Sequence, residues 1–225
     1  MLRGVLLDLD NTLVDQETAT AEALRRWLPS LGVTCTPSLI TRWDEIQERH
    51  MVAWRERTVT FREQRRRRLR DFLPTIRIAY AEEALDEIFD GYLAAYESSW
   101  RAFPDVDDAL AAIAAAGLEV AVLTNGSTEQ QHSKLARTGL AGRVGPVFTV
   151  EDVGAAKPDA AAFLGACERW GLPPVSVLSV GDRHDLDVLA ARAAGLQAVH
   201  LDRRDEGPHD EPHRIRSLAD LPLNA

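Results

Sequence analysis

Val5-Leu6-Leu7-Asp8-Leu9-Asp10-Asn11-Thr12-Leu13 is a short apolar run with a β-branched start that breaks at two carboxylates two residues apart. Such a run reads as a buried strand, and side chains two apart on a strand point the same way. Asp8 and Asp10 are therefore expected to meet in one place at the strand's carboxyl end, where Asn11-Thr12 turns the chain away. Ligand sites of open α/β sheets lie outside the carboxyl ends of the strands. A capped turn ahead of a helix is the plainer alternative, because Asp and Asn are ordinary turn residues.

Working outward, the next eighty or so residues carry helical spacing and no strand candidate. Thr18 to Leu31, Pro37 to Arg57, Thr60 to Leu73 and Ala81 to Trp100 each repeat apolar residues at helical intervals. Phe103-Pro104 closes this bundle. From Asp105 onward strands and helices alternate: strands are expected at Leu118–Leu123, Val147–Val150, Val175–Val180 and Gln197–Leu201, with helices between them. Together with the first strand this predicts an α/β fold. Its core is a doubly wound, Rossmann-like parallel sheet of five strands with right-handed crossovers. Residues 1–15 and 101–225 make the core, and residues 16–100 are an α-helical insert. The polar tail from Asp202 to Arg214 holds His209-Asp210-Glu211-Pro212-His213. Pro212 disrupts a regular helical pairing of the two histidines, so the tail is expected to be a flexible surface loop.

The 225 residues suit one large domain or a core with a smaller insert, at 45% hydrophobic and 27% charged residues. No apolar run approaches the ~20 residues that span a bilayer. Arg3 leads straight into the strand without a secretory pattern. Cys35 and Cys167 lie far apart outside any CxxC spacing, which fits buried thiols in a reducing compartment. The expected location is the cytoplasm, without a membrane partner. A net charge of −9 argues against nucleic acid, which needs a basic footprint.

Polar groups gather at four strand ends. Asp8-Leu9-Asp10-Asn11-Thr12, Leu123-Thr124-Asn125-Gly126, Lys157-Pro158 and Gly181-Asp182-Arg183-His184-Asp185-Leu186-Asp187 resemble the four ordered motifs of the haloacid dehalogenase-like hydrolases. The resemblance runs from the first strand to the last, and the insert is similar to the family's α-helical type-1 cap. Taken singly, Asp182 and Thr124 could be helix N-caps, and Lys157 a solvated lysine; four motifs in the family's order favour the functional reading. The resemblance implies that Asp8 attacks phosphorus and forms an aspartyl-phosphate. Asp8, the backbone carbonyl of Asp10 and Asp182 would bind Mg²⁺, for which hard oxygen ligands are suited. Asp187 would hold a metal-bound water or orient Lys157. Asp10 would protonate the leaving oxygen and then activate water. Thr124 with the Asn125 and Gly126 amides would bind phosphoryl oxygens, and Lys157 would neutralise charge. One departure stands out: the family usually has a small residue after Gly-Asp, and here Arg183-His184 follows, reaching either toward substrate or into solvent.

Within the resemblance Asp10 favours a phosphatase over a dehalogenase, since a departing halide needs no proton. The expected substrate is a small phosphorylated metabolite. A phosphomutase of the same fold and a non-catalytic module that binds a phosphorylated ligand are the alternatives, and oligomeric state is left open. Substrate choice is assigned to the insert, whose segment Arg62 to Arg70 is rich in arginine. A charge run is usually a solvated face. At ~100° per residue, Phe61, Leu69, Phe72 and Leu73 define an apolar arc with Arg65 inside it and Arg67 opposite. Arg65 is thus the candidate for substrate contact, with a structural ion pair as the other reading.

Overall fold

The computed structural model describes residues 1–223, which divide into two compact units: 1–15 with 101–223, and 16–100. In the first unit, six strands form one parallel sheet: β1 (Gly4–Leu7), β2 (Glu119–Leu123), β3 (Val147–Phe148), β4 (Val177–Gly181), β5 (Gln197–Leu201) and β6 (Arg214–Ile215). Their order is β3-β2-β1-β4-β5-β6. Leu7 of β1 is in register with Val122 on one side and Val180 on the other. Every residue of β1 is buried, so both faces of the pleat are covered, as parallel sheets require. The chain builds β2 and β3 to one side of β1 and then crosses over to build β4 to β6 on the other. That reversal places the topological switch point, where α/β sheets bind ligands, between β1 and β4.

The second unit, inserted after β1, holds α1 (Gln16–Ser30), α2 (Pro37–Arg55), α3 (Phe61–Phe72) and α4 (Leu85–Glu97). Thr36 and Thr60 cap α2 and α3, accepting from the amides of Leu39 and Glu63 at 3.4 and 3.1 Å. The helices bury an aromatic cluster: Trp43 meets Phe72 edge-on at 4.9 Å and Tyr92 at 4.5 Å, with Trp27 stacked beside Phe72. The arginine run resolves differently from the arc read in the sequence. Gln64, Arg68, Leu69 and Phe72 are the buried residues of α3, which centres the inward stripe on Arg68. Its guanidinium lies 4.5 Å from the Trp43 ring centroid and donates to Gln47 Oε1 at 2.7 Å. Arg65 is half-buried at the edge of that stripe, 4.7 Å from the Phe61 ring and 5.2 Å from Phe89. Arg67 is exposed and paired with Glu63.

In the first unit the sheet is flanked by α5 (Val106–Ala115), α6 (Thr128–Arg137), α7 (Val150–Val153), α8 (Ala160–Trp170) and α9 (Ala190–Ala193). Phe163 and Ala166 of α8 and Ala191 of α9 pack with Leu6, Leu123 and Ala198 in one apolar cluster. Three expectations are corrected. β3 ends at Phe148 because Thr149 caps α7, bonding reciprocally with Asp152. The helix expected from Leu186 starts instead as a π-turn over His184–Leu189. The tail is not a loose loop: its end forms the sixth strand, with Asp202 N donating to Ile215 O at 2.8 Å. Buried Glu211 accepts from Arg192 at 2.7 and 2.9 Å and from the amide of His213 at 2.9 Å. A two-residue polar strand carries no alternation to read, and its anchors are distant in sequence. Among the described residues no helix is long and apolar enough to cross a membrane.

Candidate active site

The ladder of β1 carries one bond past its last residue, from Asp8 N to Val180 O at 2.9 Å, which fixes Asp8 beside the switch point. The chain then curls: Leu13 N and Val14 N both donate to Leu9 O at 2.9 Å, and Asn11 takes φ +59°. Asn tolerates that left-handed conformation better than most residues. Asp182 follows the last residue of β4, on the other side of the switch point, and Asp187 lies in the π-turn after it.

These elements bring carboxylate oxygens of Asp8, Asp182 and Asp187 within 4.8 Å of one another. Lys157 Nζ lies between two of them, 2.6 Å from Asp8 Oδ1 and 2.5 Å from Asp187 Oδ1. Asn125 holds this lysine by its backbone: its side chain accepts from Lys157 N and donates to Lys157 O, both at 2.8 Å. Asp187 is held in turn by the Arg183 amide at 3.0 Å. A Cβ on Gly181 would overlap the Asp187 carboxylate, so a glycine at the end of β4 leaves the room this side chain occupies.

Burial of Asp8, with Asp187 and Asp10 nearby, pushes its carboxyl up to about 7 despite Lys157. Burial together with Asp8 and Asp187 holds Asp182 well above the usual carboxylate range. Although burial alone would lower it, Lys157 is held above the ordinary lysine value by Asp187 and Asp8. Three carboxylates share one ammonium, so negative charge is in excess. Hard oxygen donors at this spacing fit a divalent cation.

Asp10 does not join the trio. Its Oδ1 is ion-paired with Lys134 Nζ, and its Oδ2 accepts from Gln131 Nε2 at 2.9 Å. Strand geometry ends at Leu7, and after the curl the Asp10 carboxylate meets Gln131 and Lys134 of α6 while lying near enough to Asp8 to raise its carboxyl. Thr124 is buried at the end of β2, where its Oγ1 accepts from Gln131 Nε2 at 2.7 Å and from Gly126 N at 3.3 Å. A Cβ at Gly126 would overlap the Gln131 side chain, which explains the glycine there. Gln131 and Lys134 were absent from the sequence reading. Their i, i+3 spacing puts them on one helix face, the single signal available, and it is indistinguishable from an ordinary polar face.

The two residues after Asp182 part ways. His184 Nε2 is 3.0 Å from Glu211 Oε2 and its ring sits 5.3 Å from that of His200, so it packs toward the tail. The Arg183 side chain is paired at the surface with Asp185. Arg65 belongs to the helical unit and the remaining candidates to the other.

With the geometry established, comparisons with known proteins are specific. The family model described as haloacid dehalogenase-like hydrolase matches residues 2–195. A phosphoserine phosphatase of Thermus thermophilus is 32% identical over an alignment covering 98% of both chains. A phosphoglycolate phosphatase of Escherichia coli O157:H7 is 32% identical over 89% of this chain and 81% of its own. Among solved structures, the magnesium-bound hydrolase YfnB of Bacillus subtilis superposes with a TM-score of 0.85 at 23% identity, over 98% of this chain and 96% of that one. A dehalogenase captured as an intermediate complex shares the fold too, at TM-score 0.79 and 24% identity, over 98% and 95% of the two chains. A family match across most of the chain, joined to relatives above 30% identity along most of their length, makes this protein a member of the haloacid dehalogenase-like hydrolases.

Proposed function

We propose that the protein is a Mg²⁺-dependent phosphatase that hydrolyses a small phosphorylated metabolite through an aspartyl-phosphate on Asp8. The observation that carries this reading is the second carboxylate, Asp10, near enough to Asp8 to raise its carboxyl and held in place by Gln131 and Lys134. A dehalogenase has no use for it, because halide leaves without a proton, whereas an alkoxide needs one. Two relatives named as phosphatases of small phosphate esters support the same choice.

In this reading the Asp8 carboxylate attacks phosphorus in line, and the alcohol oxygen departs with a proton from Asp10. Lys157, held by Asp187 and clamped through Asn125, neutralises charge on Asp8 and the transferring group. The Thr124 hydroxyl and the backbone amide of Asn125 take the phosphoryl oxygens, the Gly126 amide being given to Thr124 Oγ1 and the Asn125 side chain to the Lys157 backbone. Asp10 then removes a proton from the water that releases phosphate. Asp8, Asp182 and the Asp10 carbonyl would hold Mg²⁺, which when bound supplies charge neutralisation to the dianionic phosphate. Asp187 serves as support for Lys157. Substrate choice is assigned to the helical unit, with Arg65 the group proposed to contact the metabolite.

The test is release of inorganic phosphate from a panel of phosphorylated metabolites, with Mg²⁺ and with EDTA. Phosphate release that EDTA abolishes and Mg²⁺ restores is the expected result. Release of halide from a 2-haloacid with no phosphate from any ester would refute it.

A further inference from the structure

Lys134 is 1% exposed, and a buried ammonium is costly unless paired. Its ion pair is with Asp10 Oδ1. Gln131, also 1% exposed, spends both amide hydrogens at one atom: Nε2 donates to Asp10 Oδ2 at 2.9 Å and to Thr124 Oγ1 at 2.7 Å. Its Oε1 is buried without a hydrogen-bond partner among the described residues. The reversed amide would turn that oxygen against the Asp10 carboxylate, so the two donated bonds dictate the orientation. Both Asp10 oxygens are therefore engaged from one helix. The two acceptor positions of the Thr124 hydroxyl are also filled, by Gln131 and by the Gly126 amide at 3.3 Å. Its proton is left to be donated in another direction.

We propose that Gln131 and Lys134 are positioning residues: together they hold the Asp10 carboxylate for water activation, and Gln131 also aims the Thr124 hydroxyl at the phosphoryl group. This rests on the phosphatase reading and adds to it. In the step concerned, a water oxygen bonds to phosphorus while the bond from phosphorus to the Asp8 oxygen breaks. The electron pair returns to the Asp8 carboxylate and the water proton passes to Asp10. Formation of the aspartyl-phosphate from an ester with a good leaving group needs no proton from Asp10. Loss of Lys134 should therefore slow the second step selectively.

The experiment is rapid-quench kinetics with 4-nitrophenyl phosphate and Mg²⁺, on wild type, Lys134→Met and Gln131→Leu, with thermal melts of each. Lys134→Met should release about one nitrophenol per enzyme in a burst and accumulate acid-stable-trapped phosphoenzyme. Its steady rate should then fall about ten- to a hundred-fold, with KM falling in step and kcat/KM unchanged, because formation of the phosphoenzyme is untouched. Gln131→Leu should show the same slowed second step and, in addition, weaker inhibition by inorganic phosphate. A steady rate within two-fold of wild type in folded Lys134→Met overturns the proposal. So does an equal loss of burst and steady rates. If Lys134→Met gives no cooperative melt, Gln131→Leu is held to the same outcomes. Wild type that releases no phosphate from any ester would instead overturn the phosphatase reading itself.

Discussion

Crowding of Asp8, Asp182 and Asp187 around one lysine has a consequence for the metal-free protein that can be measured without a substrate. Asp8 titrates near 3.8 in an unfolded chain and at about 7 in the folded one. Between those values the folded state binds the extra proton, so stability falls as pH rises through the window and levels off above it. The shift of about three units corresponds to a ceiling of about 4 kcal/mol. The carboxylates whose titration is lowered, Asp86 beside Arg66, Asp202 beside Arg214 and Glu211 beside Arg192, act in the opposite sense. Their contribution is present above about pH 4.5 and is lost below it, outside the window that Asp8 governs. Asp8→Asn carries no titratable group at that position. Chemical denaturation in EDTA, at steps from pH 4.5 to 8, should therefore show the variant gaining on wild type as pH rises. The gain should approach a few kcal/mol near pH 8. Saturating Mg²⁺ should return stability to wild type at pH 8, by about 2.7 kcal/mol at a hundred times Kd, and return less to the variant. Parallel pH profiles for the two proteins in EDTA would refute the electrostatic account of the cluster.

Other outcomes follow from single contacts. Asp10→Asn should fail on an alkyl phosphate, and on an activated aryl phosphate should give one burst and stall, since acid–base help is worth ~10²–10⁴-fold; steady wild-type turnover of both would remove Asp10 from the mechanism. Arg65→Ala should raise KM for the best metabolite about ten-fold, ~1.4 kcal/mol, leaving a small aryl phosphate and the Arg67→Ala control unchanged. Equal loss on both substrates would make Arg65 structural. Arg192→Met strips the two guanidinium bonds from buried Glu211 and should cost about 3 kcal/mol, read as a lower denaturation midpoint; an unchanged midpoint would mean that the tail is not anchored there.

Much of this protein was legible before any coordinates. Short apolar runs and helical spacings are local properties, so the strands from Val5 to Leu201 and the four inserted helices could be read from neighbours in the chain. Asp8, Thr124 and Asp182 sit at strand ends, which in a parallel sheet share one edge, and Lys157, in the loop between α7 and α8, stood out with them through the order of the four motifs. What the chain in isolation did not reveal depends on partners brought from far away. The direction of Asp10 is decided by Lys134 and Gln131, more than a hundred residues later. The inward arginine is Arg68 rather than Arg65 because Trp43 of α2 and Tyr92 of α4 pack against Arg68. The sixth strand has no hydrophobic signature of its own, and it is held by β5 and by carboxylate–arginine bonds between segments distant in sequence. A periodic pattern records which face of an element is buried, but which distant side chain a given polar group meets is written only in the packing.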